Sequence, residues 1–164
     1  MRALIFGLGN PILSDDAVGL LVARMVHARV GSPDVDLVEA SVAGLDIVDL
    51  IEGYDKVIIV DAIQTRGGRI GELYCLGSGD IVSTPRLASP HDLDLGETLA
   101  LGAHLGQAMP AEVVVYAVEV ADPFTFGEEL SPVLQRHLPE IVSEIVIREF
   151  EGRQAAPEGE RRTE

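Results

Sequence analysis

Three acidic residues and one histidine follow predicted strands, and they are the residues best placed to do chemistry. Asp15 and Asp16 lie in a glycine-containing loop after the first predicted strand. Asp61 comes directly after four apolar residues, and His91 follows a Ser-Pro pair. In open α/β sheets, ligands bind outside the carboxyl ends of the strands. We therefore expect these side chains to converge on one edge of a sheet.

Two carboxylates and an imidazole are suited either to binding a metal ion or to acid–base chemistry. Oxygen and nitrogen donors without a thiolate suit nickel, manganese, zinc or iron, and spacing alone does not choose among them. The same groups could act as general acid and base in a hydrolysis. The single cysteine, Cys75, can form neither an intramolecular disulfide nor a thiolate metal site. Its strand-like surroundings predict a small buried apolar residue.

Each candidate also has a structural role open to it. Asp15 or Asp16 could cap the helix that follows the loop, and His91 could be a solvated residue in a first helical turn. Asp61 is harder to explain in this way, because a carboxylate ending an apolar strand is costly to bury unless it is hydrogen-bonded, paired or coordinated. The remaining histidines lie inside predicted helices and are weaker candidates: His27, His104 and His137.

Several well-known catalytic and nucleotide-binding motifs do not occur in the sequence. Gly7 and Gly9 have the spacing of a dinucleotide fingerprint, but Ile12 stands where its third glycine would fall. The loop is instead expected to form a tight turn in which Asn10 bonds the backbone. There is no Gly-x-Ser-x-Gly elbow and no His-Glu-x-x-His helix, which excludes the common serine hydrolase and zincin arrangements.

The elements that must position these residues alternate along the chain. Short β-branched runs predict strands at 3–6, 36–38, 57–60, 72–76 and 113–118. Amphipathic segments predict helices at 16–29, 45–52, 92–107 and 131–149. Ser-Pro pairs at 89–90 and 131–132 predict a capping serine with proline at the first helical position.

This alternation predicts a single α/β domain over residues 1–150. The expected fold is a three-layer sandwich, with a twisted, mostly parallel sheet of about five strands and helices on both faces. Residues 151–164 have almost no apolar side chains, and we expect them to form a mobile tail.

The composition limits the classes of partner. The 164 residues are 47% hydrophobic and carry a formal net charge of −15. So acidic a surface repels phosphate backbones and anionic membranes, which disfavours nucleic-acid and lipid partners. No uninterrupted apolar stretch approaches the length of a membrane span. We expect a soluble, monomeric, cytoplasmic protein, with a metal ion or a cationic partner left open.

The candidate residues lie in motifs that resemble those of the hydrogenase maturation proteases. The motifs are Gly7-Leu8-Gly9-Asn10 with Asp15-Asp16-x-x-Gly19, then Ile58-Ile59-Val60-Asp61-Ala62, then Ser89-Pro90-His91. The resemblance covers roughly residues 1–150. It implies an endopeptidase that removes the C-terminal extension of a [NiFe]-hydrogenase large-subunit precursor.

The resemblance further implies that Asp16, Asp61 and His91 form the metal-binding and catalytic site. The metal would be nickel carried by the precursor, bound weakly or not at all by the isolated protein. One segment departs from the family pattern, since many members carry Asp-Gly-Gly-Thr where this chain has Glu39-Ala40-Ser41-Val42. Two other functions remain open: a non-enzymatic nickel-binding checkpoint module, and a small metallohydrolase with its own metal.

Overall fold

The protein is built around one five-stranded sheet. The computed structural model describes residues 1–41, 45–77 and 95–152. The strands are β1 (Ala3–Leu8), β2 (Val35–Ala40), β3 (Lys56–Ile63), β4 (Leu73–Leu76) and β5 (Glu112–Glu119). Their order across the sheet is β2-β1-β3-β5-β4. β4 is an antiparallel edge strand and the other pairings are parallel, so the predicted mostly parallel sheet of five strands is confirmed.

Helices cover both faces of this sheet. They are α1 (Val18–Val30), α2 (Leu45–Ile51), α3 (Leu95–His104) and α4 (Pro132–Val146). One core cluster joins the sheet to α1 and α4, and a second joins it to α2 and α3 on the opposite face. Every residue of β1 and β3 is buried, as expected for strands covered on both sides. The three-layer α/β sandwich is therefore confirmed.

The four helices in the described part of the chain occur where the periodicity predicts them. Two Ser-Pro pairs are predicted to begin helices. The Ser-Pro signal at residues 89–90 lies outside the described residues. At the other start, Pro132 occupies the first turn of α4 as predicted, but the Ser131 side chain makes no capping hydrogen bond. Its hydroxyl instead donates to Asp15 Oδ2 at 3.0 Å. The capping prediction for Ser131 is therefore wrong, because a carboxylate from a distant loop competes for the hydroxyl.

The last helix continues into a π-helical turn, Ile147–Glu151, that is tied to the sheet by a buried polar network. Lys56, the only lysine of the chain, is 2% exposed and pairs with Glu149 and with Glu112, the latter at 3.1 Å. The hydroxyl of Tyr116, a fully buried residue, donates to the other oxygen of Glu149. Burial and the bond to Glu149 raise the pKa of Tyr116 well above its usual value. This network fastens the end of α4 to β3 and β5.

None of the helices in the described parts of the chain is long and apolar enough to span a membrane. Most of the predicted tail, residues 153–164, lies outside the described residues.

Candidate active site at the carboxyl edge of the sheet

Asp16 lies in a 3₁₀ turn, Ser14–Ala17, between β1 and α1. The residue is fully buried, and its Oδ2 accepts a hydrogen bond from the Asn10 backbone N–H at 2.8 Å. Asn10 Oδ1 in turn accepts from the Ile12 backbone N–H at 3.2 Å, which confirms the predicted tight turn. A Cβ at Gly9 would lie 2.3 Å from the Asp16 carbonyl oxygen, so only glycine lets the chain pass this close. The loop thus holds the Asp16 carboxylate in one orientation.

Asp61 lies within β3, opposite Ala117 of β5. The sequence predicts that this strand ends at Val60, but β5 is a long partner and keeps β3 paired through Ile63. The pairing of β3 with β1 ends at Val60, so Asp61 lies just where β1 stops. Asp61 is 7% exposed, and its Oδ1 accepts from the Ala62 backbone N–H at 2.8 Å. Its carboxylate is therefore buried and oriented by the backbone.

The first turn of α1 brings these two residues to the same place. A Cβ on Gly19 would lie 2.2 Å from the Leu8 carbonyl oxygen and 2.5 Å from that of Val60. The same Cβ would lie 3.2 Å from the Asp61 Cα, so the missing side chain lets α1 pack directly on the ends of β1 and β3. The 3₁₀ turn that carries Asp16 also contacts β3. The chain leaves β1 towards β2 on one side and returns to β3 on the other, so this is the topological switch point where α/β proteins bind ligands.

Asp15 has a different role from its neighbour. It is fully buried, and its carboxylate accepts from the backbone N–H groups of Ala121, Asp122 and Ser131 and from the Ser131 hydroxyl, at 2.6–3.1 Å. α1 has Ala17 at its N-cap position and no side-chain cap, so the expectation that Asp15 or Asp16 caps this helix is wrong. Asp15 instead fastens the loop between β5 and α4 beside Asp16.

A fourth buried carboxylate at this edge, Glu119, was not singled out from the sequence. It is 2% exposed at the end of β5 and accepts from the Thr65 backbone N–H at 2.8 Å and from the Thr65 hydroxyl at 3.0 Å. A Cβ on Gly68 would lie 2.0 Å from Glu119 Oε1, so the segment after β3 wraps tightly around this group. The signal was available, because Glu119 ends an apolar run in the same way as Asp61.

Glu39 lies beside a shallow cleft of about 300 Å³, which is lined by Gly9, Pro11, Arg24 and Ser41 among others. The Glu39 carboxylate pairs with Arg24 at 2.6 Å, and this cation compensates its charge. The segment that departs from the family pattern thus contributes Glu39, which forms an ion pair with Arg24 at the cleft.

The third predicted ligand, His91, lies outside the described residues. Within the described ranges, no three His, Cys, Asp or Glu side chains are grouped so that they could hold a metal ion. His27 has a structural contact, from its Nε2 to the Val35 carbonyl oxygen at 3.0 Å. Cys75 is exposed, so the prediction that it is buried is wrong, because β4 is an edge strand with an open side. The described part of the site is therefore the pair Asp16 and Asp61.

A doubly wound α/β sheet with buried carboxylates at its switch point is the arrangement in which proteins of this class bind ligands. Comparison with known proteins identifies the family. The model of the hydrogenase maturation protease family matches residues 20–148, and the chain belongs to this family. The matched range includes Asp61 and His91 and begins four residues after Asp16.

Individual relatives agree with this assignment. The chain is 29% identical over 102 residues to the Hydrogenase 2 maturation protease of Escherichia coli strain K12, covering 61% of this chain and 62% of that protein. It is 26% identical over 134 residues to the hydrogenase expression/formation protein HupD of Bradyrhizobium diazoefficiens, covering 80% and 69%. The match thus spans less than two thirds of the E. coli relative.

Solved structures show the same fold. The hydrogenase maturating endopeptidase HybD from E. coli superposes with a TM-score of 0.75 at 23% identity, covering 93% of this chain and 94% of that one. The [NiFe] hydrogenase maturation protease HybD from Thermococcus kodakarensis gives a TM-score of 0.65 at 26% identity, covering 88% and 96%.

Proposed function

We propose that this protein is an endopeptidase that removes the C-terminal extension of a nickel-loaded [NiFe]-hydrogenase large-subunit precursor. The observation that carries the proposal is the placement of Asp16 and Asp61 at the switch point in a member of the maturation protease family. The names of the relatives describe proteases and endopeptidases, and peptide-bond cleavage is the reaction expected here. The protein would act in the cytoplasm, where a precursor is assembled.

The proposal assigns recognition of the substrate's nickel to Asp16, Asp61 and His91. Two carboxylates and an imidazole are donors that nickel accepts. Asp16 Oδ2 and Asp61 Oδ1 each accept a backbone N–H, at 2.8 Å in both cases. Such bonds fix the direction in which the rest of the carboxylate points, as hydrogen-bonded partners commonly do for metal ligands. The pair is therefore oriented before the metal arrives.

A metal that arrives with the substrate would act first as a template. Coordination by residues of both proteins would hold the precursor in one register on the carboxyl edge, with the scissile peptide bond at a fixed place. The ion could also polarise a carbonyl oxygen. The role of this chain's own residues is to bind and orient. The cleavage consumes one water molecule and yields a new carboxylate and a new amine.

Mass spectrometry of a nickel-loaded precursor incubated with the protein tests the proposal. We expect the precursor to lose the mass of its C-terminal extension. A precursor that keeps its full mass in a stable complex would instead identify the protein as a non-enzymatic checkpoint module. Protein that retains stoichiometric metal and cleaves nickel-free peptides would be an independent metallohydrolase.

Asp61→Asn tests the role of the carboxylate within that assay. The asparagine oxygen can still accept the Ala62 N–H, so the variant removes charge and leaves the shape almost unchanged. Altering groups that merely orient metal ligands commonly costs about 10–100-fold, so loss of a ligand charge should slow processing at least about a hundredfold. The matched control is Asp46→Asn on the exposed side of α2, which should process at the normal rate. Normal processing by Asp61→Asn would exclude Asp61 from the site.

A further inference from the structure

Three large apolar side chains are exposed beside the candidate active site, and we call them the apolar rim: Ile12, Phe124 and Phe126. Their exposed fractions are 49%, 66% and 78%. The chain has only four phenylalanines, and the rim holds two of them. Single exposed apolar residues are common, but several on adjoining loops mark a surface that a partner covers.

Backbone hydrogen bonds join the two loops of the rim to the turn that carries Asp16. Leu13 and Gly127 form a β-bridge between the two loops that carry it. The Gly127 N–H donates to the Ile12 carbonyl oxygen at 2.9 Å, and the Ser14 N–H donates to the Gly127 carbonyl oxygen at 2.8 Å. Together with the bonds to Asp15, these contacts fix the rim directly beside the turn that carries Asp16. The rim is therefore carried by loops that adjoin the site.

The loop that presents the two phenylalanines is held in one shape. Asp122 Oδ1 accepts from the backbone N–H groups of Phe124 and Thr125, each at 3.0 Å, and the Thr125 hydroxyl donates to the other carboxylate oxygen. These bonds lower the pKa of Asp122, so the turn is intact at neutral pH. An ordered loop loses less entropy on binding than a mobile one, which favours a docking role.

The two segments that carry the rim contain acidic residues and no basic ones. Residues 9–17 and 121–131 contain five carboxylates and no lysine or arginine. Two of these, Glu128 and Glu129, are exposed next to the phenylalanines. An apolar surface with two exposed acids beside it is complementary to an apolar segment flanked by basic residues.

We propose that the apolar rim is the docking surface for the large-subunit precursor, which it contacts through an apolar segment flanked by lysine or arginine. This rests on the proposed function, because the precursor is the partner that the function supplies. Docking at the rim would place the nickel-bearing part of the precursor over Asp16 and Asp61.

Binding of the nickel-loaded precursor, measured by biolayer interferometry, tests the docking surface. The variant is Phe124→Ser with Phe126→Ser, whose side chains are exposed and can be changed without disturbing the core. The matched control is Leu101→Ser with Leu105→Ser on and just after α3, at exposures of 42% and 62%. Burial of a phenylalanine predicts a Kd at least tenfold higher for the rim variant, against less than twofold for the control. An equal Kd for the wild type and the rim variant, or no binding by the wild type, would overturn the proposal.

Cleavage is followed separately, so that the two proposals can fail independently. If the precursor binds through the rim and keeps its full mass, the docking surface stands and the endopeptidase function is wrong. If the precursor is cleaved, the rim variant should raise KM at least tenfold and leave kcat at saturating precursor unchanged. Cleavage with an unchanged KM would leave the function in place and overturn the docking surface.

The basic character of the partner segment is tested by charge. Glu128→Gln with Glu129→Gln should weaken binding at low salt and reduce its salt dependence. Wild-type binding that is insensitive to salt would overturn the assignment of flanking lysine or arginine residues.

Discussion

Replacing Asp15 by asparagine should destabilise the protein strongly, although the two side chains have nearly the same shape. The carboxylate accepts four hydrogen bonds while fully buried. An asparagine oxygen in place of Oδ2 keeps three of them as weaker neutral bonds, but its NH₂ group would then face the Ser131 N–H. A hydrogen bond to a charged group contributes about 1.5–3 kcal/mol, and a buried N–H without an acceptor adds a further cost. We therefore expect the free energy of unfolding to fall by about 2–4 kcal/mol.

Urea denaturation followed by circular dichroism measures this loss. Asp46→Asn is the control, because it removes the same charge from an exposed position; Asp46 lies in the first turn of α2, so the change should cost no more than about 1 kcal/mol. A double-mutant cycle with Ser131→Ala should give a coupling of about 0.5–1.5 kcal/mol, because the hydroxyl and the carboxylate bond each other. A loss below about 1 kcal/mol for Asp15→Asn would refute the idea that this carboxylate fastens the loop.

Two further predictions concern the packing and the pH dependence of the fold. Gly19→Ala should lower the free energy of unfolding by about 1–3 kcal/mol, measured by urea denaturation, because the added Cβ would meet backbone oxygens of β1 and β3. The control is Gly127→Ala, which should be nearly neutral because a Cβ at Gly127 would meet nothing within 4 Å. The pKa of Tyr116 is raised in the folded state, which therefore favours the neutral phenol. The unfolded chain ionises this residue above about pH 10, the ordinary tyrosine value, so the free energy of unfolding should fall as the pH rises beyond it. Tyr116→Phe should flatten the loss of stability between pH 8 and pH 11, and an unchanged slope would contradict the assignment.

Local patterns in the sequence predict the elements of this fold well. The apolar runs at 57–60 and 113–118 become central strands because a strand covered on both faces carries no polar alternation. The exact ends depend on partners that are distant in sequence. β3 runs to Ile63 because β5 continues alongside it, and Cys75 is exposed because β4 lies at an edge.

The same distinction applies to the site. The positions of Asp16 and Asp61 at neighbouring strand ends follow from the rule that parallel strands share a carboxyl edge. The different role of Asp15 could not be predicted, because its donors lie more than 100 residues away in sequence. Glu119 carried a readable signal, an acid at the end of an apolar run, but its partner Thr65 is on another loop. The roles of Asp16, Asp61 and His91 as nickel ligands remain predictions.

The burial of Lys56 has a practical consequence for experiments on this protein. Because the chain's one lysine is 2% exposed and held by two carboxylates, an amine-directed label or cross-linker finds no lysine side chain on the surface of the folded state. Apart from reaction at an N-terminal amine, reagents of this kind would therefore modify the lysines of a bound partner and spare the single lysine of this chain. Modification of Lys56 itself would show that the end of α4 has detached from the sheet, so the rate of labelling at Lys56 measures local unfolding.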